Sequence, residues 1–280
     1  MKQRAITSVI ILAILIPLLL LSEYIVYPIC LSAICVMAVY EMLRVLGMDK
    51  KWIISIPAYV IAAAMPVFTH TLFLQDEMQK QIGYLLIVAA VMFVYLLYTM
   101  GVAVFSKGKI GVSDIGSAFL TVTYIVVSFT AFSMIRYIEN GDLCFILVFA
   151  AAWVSDSCAF FAGYFFGKHK LIPEVSPKKT VEGAIGGVVC ASIGFMLYGL
   201  VIDLFTSVEV NYLVLAIAGL VLSVVSQIGD LIASMIKREH GVKDYGNLLP
   251  GHGGIMDRFD SIMAVSAPLL AICIIFPPFS

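Results

Sequence analysis

Apolar residues fall into nine long runs, near residues 5–22, 24–46, 52–73, 82–105, 114–136, 143–166, 181–204, 211–236 and 256–276. Each approaches the roughly 20 residues that an α-helix needs to cross a bilayer. Breakers part them, among them Gly47, Gly108, Gly111, Gly141 and the whole 167–180 segment. The pattern predicts an all-α, polytopic integral membrane protein of about nine transmembrane helices. The first run follows Lys2 and Arg4 and could pass for a signal peptide. It has no small-x-small cleavage site and leads straight into further spans, so it reads as a retained helix.

Composition strengthens this. The chain is 62% hydrophobic and 12% charged, with a mean hydropathy of +1.05, more apolar side chain than a water-soluble fold has interior to hide. The net charge of −1 decides little, because in membrane proteins the placement of charge matters more than its sum. With nine spans, the N-terminus and every second loop share one side. That side gathers Lys2, Arg4, Arg44, Lys50, Lys51, Lys107, Lys109, Lys168, Lys170, Lys178, Lys179, Lys237, Arg238, Lys243 and Arg258, and leaves only Lys80 and Arg136 opposite. The asymmetry predicts a cytoplasmic N-terminus. All six cysteines lie in or beside apolar runs without metal-ligand spacing and read as small core residues. His70 and His169 attract no partners in the sequence.

The polar chemistry sits in the second half. Residues 1–140 read as scaffold, five transmembrane spans with thin loops. Residues 141–280 read as the catalytic region, four spans with a polar site facing the cytoplasm. The halves show no inverted repeat of the transporter kind. Three constellations stand out. The first is Trp153-Val-Ser155-Asp156-Ser157, followed by Gly163 and Gly167. An ionised carboxylate within a span costs about 2.5–3.5 kcal/mol at the helix centre, so Asp156 calls for a partner or a wet cavity. Hydrogen bonds to neighbouring helices would be the plainer explanation.

The second constellation runs from Gly167 to Gly187, with Ser176-Pro177-Lys178-Lys179-Thr180-Val-Glu182-Gly183 at its centre. Lysines ahead of a helix that opens at Thr180 suit an anion, since the first N–H groups of a helix are free to bind phosphate. A positive-inside loop touching lipid headgroups would explain the lysines alone.

The third spans Asp230 to Asp260. Ser226, Asp230, Ser234 and Lys237/Arg238 recur at helical spacing along the end of one run, and Asp257 and Asp260 share a face at the start of the next. Three carboxylates at one membrane face suit Mg²⁺, which takes a few carboxylates and completes its shell with water and substrate phosphate. Lys237, Arg238, Lys243 and Arg258 would meet anionic oxygens. Gly251, Gly253 and Gly254 permit close backbone approach around His252. A salt-bridged loop with helix-capping aspartates would explain any one of these pairs, though not so many together.

The stretch Ser234-x-x-Lys237-Arg238, then Lys243-Asp244, His252-Gly253-Gly254 and Asp257-Arg258-x-Asp260 resembles the signature of the phosphatidate cytidylyltransferase (CDP-diacylglycerol synthase) family. Asp156-Ser157 and the Ser176–Gly183 block resemble that family's other motifs, with Phe160 standing where the family favours Tyr. The resemblance implies a nucleotidyltransferase of phospholipid biosynthesis in the cell (plasma) membrane. It would transfer CMP from CTP to phosphatidic acid, giving CDP-diacylglycerol and pyrophosphate. It further implies Mg²⁺, a monovalent cation such as K⁺ beside it, and a homodimer in the lipid bilayer, with no nucleic-acid partner. Carried onto this chain, Asp230, Asp257 and Asp260 would hold metal, and Lys237, Arg238, Lys243, Asp244 and Arg258 would complete the catalytic set. Asp156, Ser176, Lys178, Lys179, Thr180, Glu182, Ser234, His252, Gly253 and Gly254 would bind substrate. Two other classes stay open from sequence: a CTP-dependent lipid kinase, which would release CDP, and a transporter with an intramembrane acidic ion site.

Overall fold

The computed structural model describes residues 21–22, 24–73, 78–248, 251 and 253–280. The expected first helix, 5–22, lies almost wholly outside the described residues. Among them, eight helices are long and apolar enough to cross a bilayer. They are α1 (Val26–Val45), α2 (Trp52–Phe73), α3 (Met78–Phe105), α4 (Val112–Met134), α5 (Gly141–Phe166), α6 (Val181–Phe205), α7 (Tyr212–Glu239) and α8 (Met256–Ile275). Each coincides with one of the apolar runs, so the all-α polytopic membrane fold stands, with eight described spans where nine were expected. Val104, Phe105, Leu204 and Phe205 remain exposed on the helix surfaces. Apolar exposure on this scale belongs in lipid.

The chain forms two compact units. The first takes the chain up to Met134 together with Val242–Asp257. Its most enclosed helix is α4, buried without a break from Ser128 to Met134. Short polar bonds tie the neighbours together where lipid offers no competing water. The Ser32 hydroxyl donates to the Ala63 carbonyl at 2.7 Å (α1 to α2), and the Tyr98 hydroxyl to the Ile53 carbonyl at 2.8 Å (α3 to α2). Lys51 meets Asp114, in the first turn of α4, at 2.6 Å.

The second unit comprises Ile135–Gly241 and Arg258–Ser280. It begins with a 3₁₀ turn, Ile135–Tyr137, and reverses at Asn140, whose φ of +51° places it in the left-handed region. Arg136, one of the two cations on the sparse side, pairs with Asp142 and lies 5.8 Å from the centre of the Phe145 ring. The span α5 is not uniform. Its outer parts, Gly141–Phe149 and Ser155–Phe166, are α-helical, but Ala150–Val154 is π-helical. Sequence periodicity predicted one unbroken helix here and could not show the extra residue. Such single-turn π segments recur at functional sites, and this one immediately precedes Ser155 and Asp156.

Between α5 and α6 the 167–180 segment, expected as a loop, folds into an antiparallel hairpin, β1 (Lys170–Ile172) and β2 (Ser176–Thr180). Pro177 fits because a strand in a two-stranded ribbon has an edge that needs no N–H. The second part of α5 and the start of α6 then pack backbone to backbone. A Cβ added to Gly183 would stand 2.7 Å from the Ala159 carbonyl oxygen, and one on Gly187 would stand 2.8 Å from that of Ser155. At the far end of the unit, Glu209 and Ser280 exchange backbone hydrogen bonds of 2.8 and 3.0 Å, and Phe279 packs edge-on against Tyr198.

The seam makes a sharp prediction. Gly187→Val should force α5 and α6 apart and destabilise the protein by about 1–3 kcal/mol. Gly194→Ala, on the same helix but with only Val154 Cγ1 at 3.4 Å, should be neutral or slightly stabilising. Thermal melting of the detergent-solubilised protein checks both; equal melting temperatures for the two variants would remove the seam as a stabilising feature.

Candidate active site

In the second unit, α5, the hairpin, α6 and α7 enclose a cavity of about 540 Å³. This lies within the roughly 300–1,000 Å³ of ordinary small-molecule sites. Asp156, Phe160, Gly163 and Tyr164 line it from one face of α5, at the i, i+4, i+7 and i+8 spacing of a helix, and Gly167 joins them just past its end. Lys170, Lys178 and Lys179 come from the hairpin, and Thr180, Gly183 and Ala184 from the start of α6. Gln227 and Asp230 come from α7. The Phe160 and Tyr164 rings stack at 6.4 Å, so one lining holds both ionic groups and a flat apolar surface.

Lys179 and Asp230 form an ion pair across the cavity lining. Asp156 lies within electrostatic range of both. Asp260, on α8, senses Asp230, Lys237 and Asp156. A Cβ on Gly229 would stand 3.1 Å from the Asp260 carbonyl oxygen, which brings this turn of α8 against the turn of α7 that carries Asp230. The second unit therefore gathers Asp156, Asp230 and Asp260 from three helices, with Lys179 and the buried Lys237 among them. Beneath the cluster, the Ser155 and Ser223 hydroxyls meet at 2.6 Å, and the Gln227 amide donates to the Ala184 carbonyl at 3.2 Å and to both hydroxyls at 3.4 Å. Arg238 and Arg258 are exposed, and Ser234 is half-buried one turn beyond Asp230.

The start of α6 departs from expectation. Its first amides are not free for an anion: Val181 N–H donates to the His169 carbonyl at 3.0 Å and Gly183 N–H to Thr180 Oγ1 at 3.1 Å. Glu182 bonds its own N–H through its carboxylate. The same carboxylate accepts from the Lys168 N–H (3.1 Å), the His169 N–H (3.2 Å) and the His169 ring at Nδ1 (2.6 Å), anchoring the base of the hairpin. His169, which seemed partnerless in sequence, is thus committed to Glu182, while His70 is buried within α2. Of the substrate-binding residues expected in this block, Lys178, Lys179 and Thr180 line the cavity and Ser176 and Glu182 do not.

The remaining signature residues belong to the first unit. Lys243 and Asp244 are exposed there, and His252 lies outside the described residues. Asp257 Oδ2 accepts from Tyr245 N–H at 2.7 Å and Gly254 N–H at 3.0 Å, and a Cβ on Gly253 (φ +84°) would stand 2.7 Å from the same oxygen. Asp257 therefore caps the loop that leads into α8. Below it lies a residue that sequence reasoning missed. Glu41, on α1 and only 2% exposed, accepts from Ile255 N–H at 3.1 Å and Met256 N–H at 2.9 Å. Two acceptors thus satisfy backbone donors at the start of a helix, where negative charge is favoured. The signal was there: a lone carboxylate inside an apolar run is costly unless something holds it. Gln227, deep in another run, carried the same kind of signal.

A hard divalent cation fits the donor chemistry of Asp156, Asp230 and Asp260. Among the described residues no three Asp, Glu, His or Cys side chains converge as a ready-made cage. Mg²⁺ sites commonly take one or two carboxylates and complete their shell with water and substrate phosphate.

Fold and site together define a polytopic membrane protein with a cavity lined by carboxylates, lysines and aromatic rings. A sequence profile described as the cytidylyltransferase family matches residues 2–276, and the chain belongs to that family. It is similar to the phosphatidate cytidylyltransferase of Staphylococcus epidermidis, 36% identical over 98% of this chain and 99% of the relative. Those of Bacillus subtilis (36%, covering 95% and 94%) and Staphylococcus aureus (35%, covering 98% and 99%) are similar to it as well.

Because Glu182 fastens the hairpin to α6, Glu182→Ala should expose the Lys168–Lys179 backbone. Trypsin cleavage within that segment should rise by about tenfold, as expected when a local opening loses several hydrogen bonds. An unchanged cleavage rate would show that the strands alone hold the hairpin in place.

Proposed function

We propose that this chain transfers the cytidylyl group of CTP to phosphatidate, releasing pyrophosphate and forming CDP-diacylglycerol, at the cytoplasmic face of the plasma membrane. The observation that carries the proposal is the cavity, where Lys170, Lys178, Lys179, Asp156 and Asp230 share one lining with stacked aromatic rings inside a membrane-spanning unit. Full-length similarity to phosphatidate cytidylyltransferases supports it. The crowding of Lys and Arg onto one side of the predicted topology supports the cytoplasmic placement.

The nucleophile is a phosphatidate oxygen that is already ionised, so the reaction needs little proton transfer. That oxygen bonds to the α-phosphorus of CTP as the bond from that phosphorus to the bridging oxygen breaks, and pyrophosphate leaves with the electron pair. The work left to the protein is positioning and charge neutralisation. Lys170, Lys178 and Lys179 hold phosphate oxygens, and Lys179 exchanges its pairing with Asp230 for a substrate anion. Phe160 and Tyr164 offer a flat surface to an acyl chain or a base. Gln227 fixes the turn of α7 ahead of Asp230 by bonding to α5 and α6. Asp230 and Asp260, with Asp156 beside them, would hold Mg²⁺, which when bound offsets charge on the triphosphate and the leaving group. The assignments of Lys243, Asp244, His252, Asp257 and a further monovalent cation rest on the signature, as does a homodimer.

Purified protein given phosphatidate, Mg²⁺ and CTP labelled on the α-phosphate should place label in lipid and release an equal amount of pyrophosphate. Free labelled CDP with a phosphorylated lipid would replace this activity with a kinase. Chelation of divalent cations should abolish turnover and Mg²⁺ should restore it. Asp230→Asn and Asp260→Asn should each lower kcat by about 10²–10³-fold, the scale of losing one electrostatic element of a site. Full turnover in both variants would remove the metal assignment.

A further inference from the structure

Glu41 stands 214 residues before the loop it bonds to, and its carboxylate is buried in an apolar helix. A charge in such a place is strongly unfavourable unless hydrogen bonds answer it. Here the answer is the start of α8, through Ile255 and Met256 N–H. Arg44, one turn further along α1, adds an opposite charge within electrostatic range. The glycines above tell the same story. Gly246 and Gly254 leave no space for a Cβ because the Glu41 carboxylate occupies it. They also approach each other, a Cβ on Gly246 standing 3.3 Å from the Gly254 Cα. The loop is pinched shut at its base over Glu41, and Asp257 locks it from the other side through Tyr245 and Gly254 N–H.

We propose that Glu41 is a positioning residue for the cytidylyl transfer, setting the backbone of the Tyr245–Met256 loop and hence the placement of Lys243, Asp244 and the start of α8. The role rests on the function proposed above. It gives Gly254 a purpose different from the one its place beside His252 suggested. The glycine yields its side-chain space to a carboxylate of the protein rather than to a phosphate of the substrate. Glu41 touches no substrate; it acts through the loop.

The test compares four variants of the full chain in detergent: Glu41→Gln, Glu41→Ala, Gly254→Ala and the double variant Glu41→Ala with Gly254→Ala. The readouts are kcat and KM for both substrates, hydrogen–deuterium exchange of peptides covering 242–257, and thermal melting. Glu41→Gln turns an amide NH₂ toward one of two backbone donors. It should melt cooperatively, speed exchange in 242–257 about tenfold, and lower kcat about 10–100-fold with KM for phosphatidate within about twofold, the pattern of a displaced constellation. Gly254→Ala, which crowds the carboxylate without removing its charge, should do the same and keeps the test intact if Glu41→Gln fails to fold. In the double variant the added methyl enters vacated space, so its losses should be smaller than the product of the single losses.

Unchanged kcat in both Glu41→Gln and Gly254→Ala, or lost kcat with unchanged exchange in 242–257, would overturn the positioning role. Strictly multiplicative losses in the double variant would overturn it too. Absence of pyrophosphate release by the wild-type protein would instead overturn the proposed function, while the exchange contrast would still report whether Glu41 holds the loop.

Discussion

Backbone contact between the second part of α5 and the start of α6 is the constraint on which the second unit depends. With side chains at Gly163, Gly183 or Gly187 the two helices would stand further apart. Thr180 could then not sit against Gly163, its Oγ1 being only 2.8 Å from where a Cβ would be. The hairpin hangs from this junction, because β2 ends at Thr180 and the Glu182 carboxylate grips the first residues after α5. Without the close approach, Lys178 and Lys179 would have no fixed relation to Asp156. In lipid, where burial of apolar surface gives helices no reason to associate, small residues that admit close packing supply the attraction.

A second pattern recurs among the described residues, that charges in and beside the spans are answered inside their own unit. Arg136 has Asp142 and the face of Phe145, Lys179 has Asp230, and Glu41 has two amides. Like charges gather most closely, among the described residues of the second unit, in the group Asp156, Asp230 and Asp260. Three carboxylates and two lysines leave the cluster with a deficit of positive charge. A cation arriving with an anionic substrate would fill it.

Much of this was legible in the amino-acid sequence, for physical reasons. Helices that cross lipid announce themselves by length and hydropathy, so Trp52–Phe73 and Met256–Ile275 fell within a residue of their expected ends. Asp156, Asp230 and Asp260 were legible because an acidic group in an apolar run has few innocent explanations. What sequence could not show was where the side chains turn. Asp257 and Asp260, three residues apart, looked like one pair of ligands. In the structure Asp257 accepts hydrogen bonds from its own loop, while Asp260 faces the α7 cluster. Glu182 read as part of a phosphate site because a helix start beside lysines is usually electropositive; its carboxylate instead closes the first turn. The β hairpin went unseen because Gly167, Pro173 and Pro177 mask so short a strand pair, and Glu41 because its partner lies at the other end of the chain.

The π-helical turn at Ala150–Val154 has a consequence that concerns chain length rather than chemistry. A π turn accommodates one residue more than an α turn over the same rise, and each residue of an α-helix turns the chain by about 100°. Asp156 therefore keeps its direction because one surplus residue is absorbed within a run of three alanines. Shortening that run by one would let the turn close as ordinary α-helix with Asp156, Phe160 and Tyr164 still on their flank. A deletion in the α-helical parts on either side, which have no surplus to give up, would instead turn one part against the other by about 100°. In this span, arithmetic counts for as much as identity: the alanine run can lose a residue that its α-helical flanks cannot.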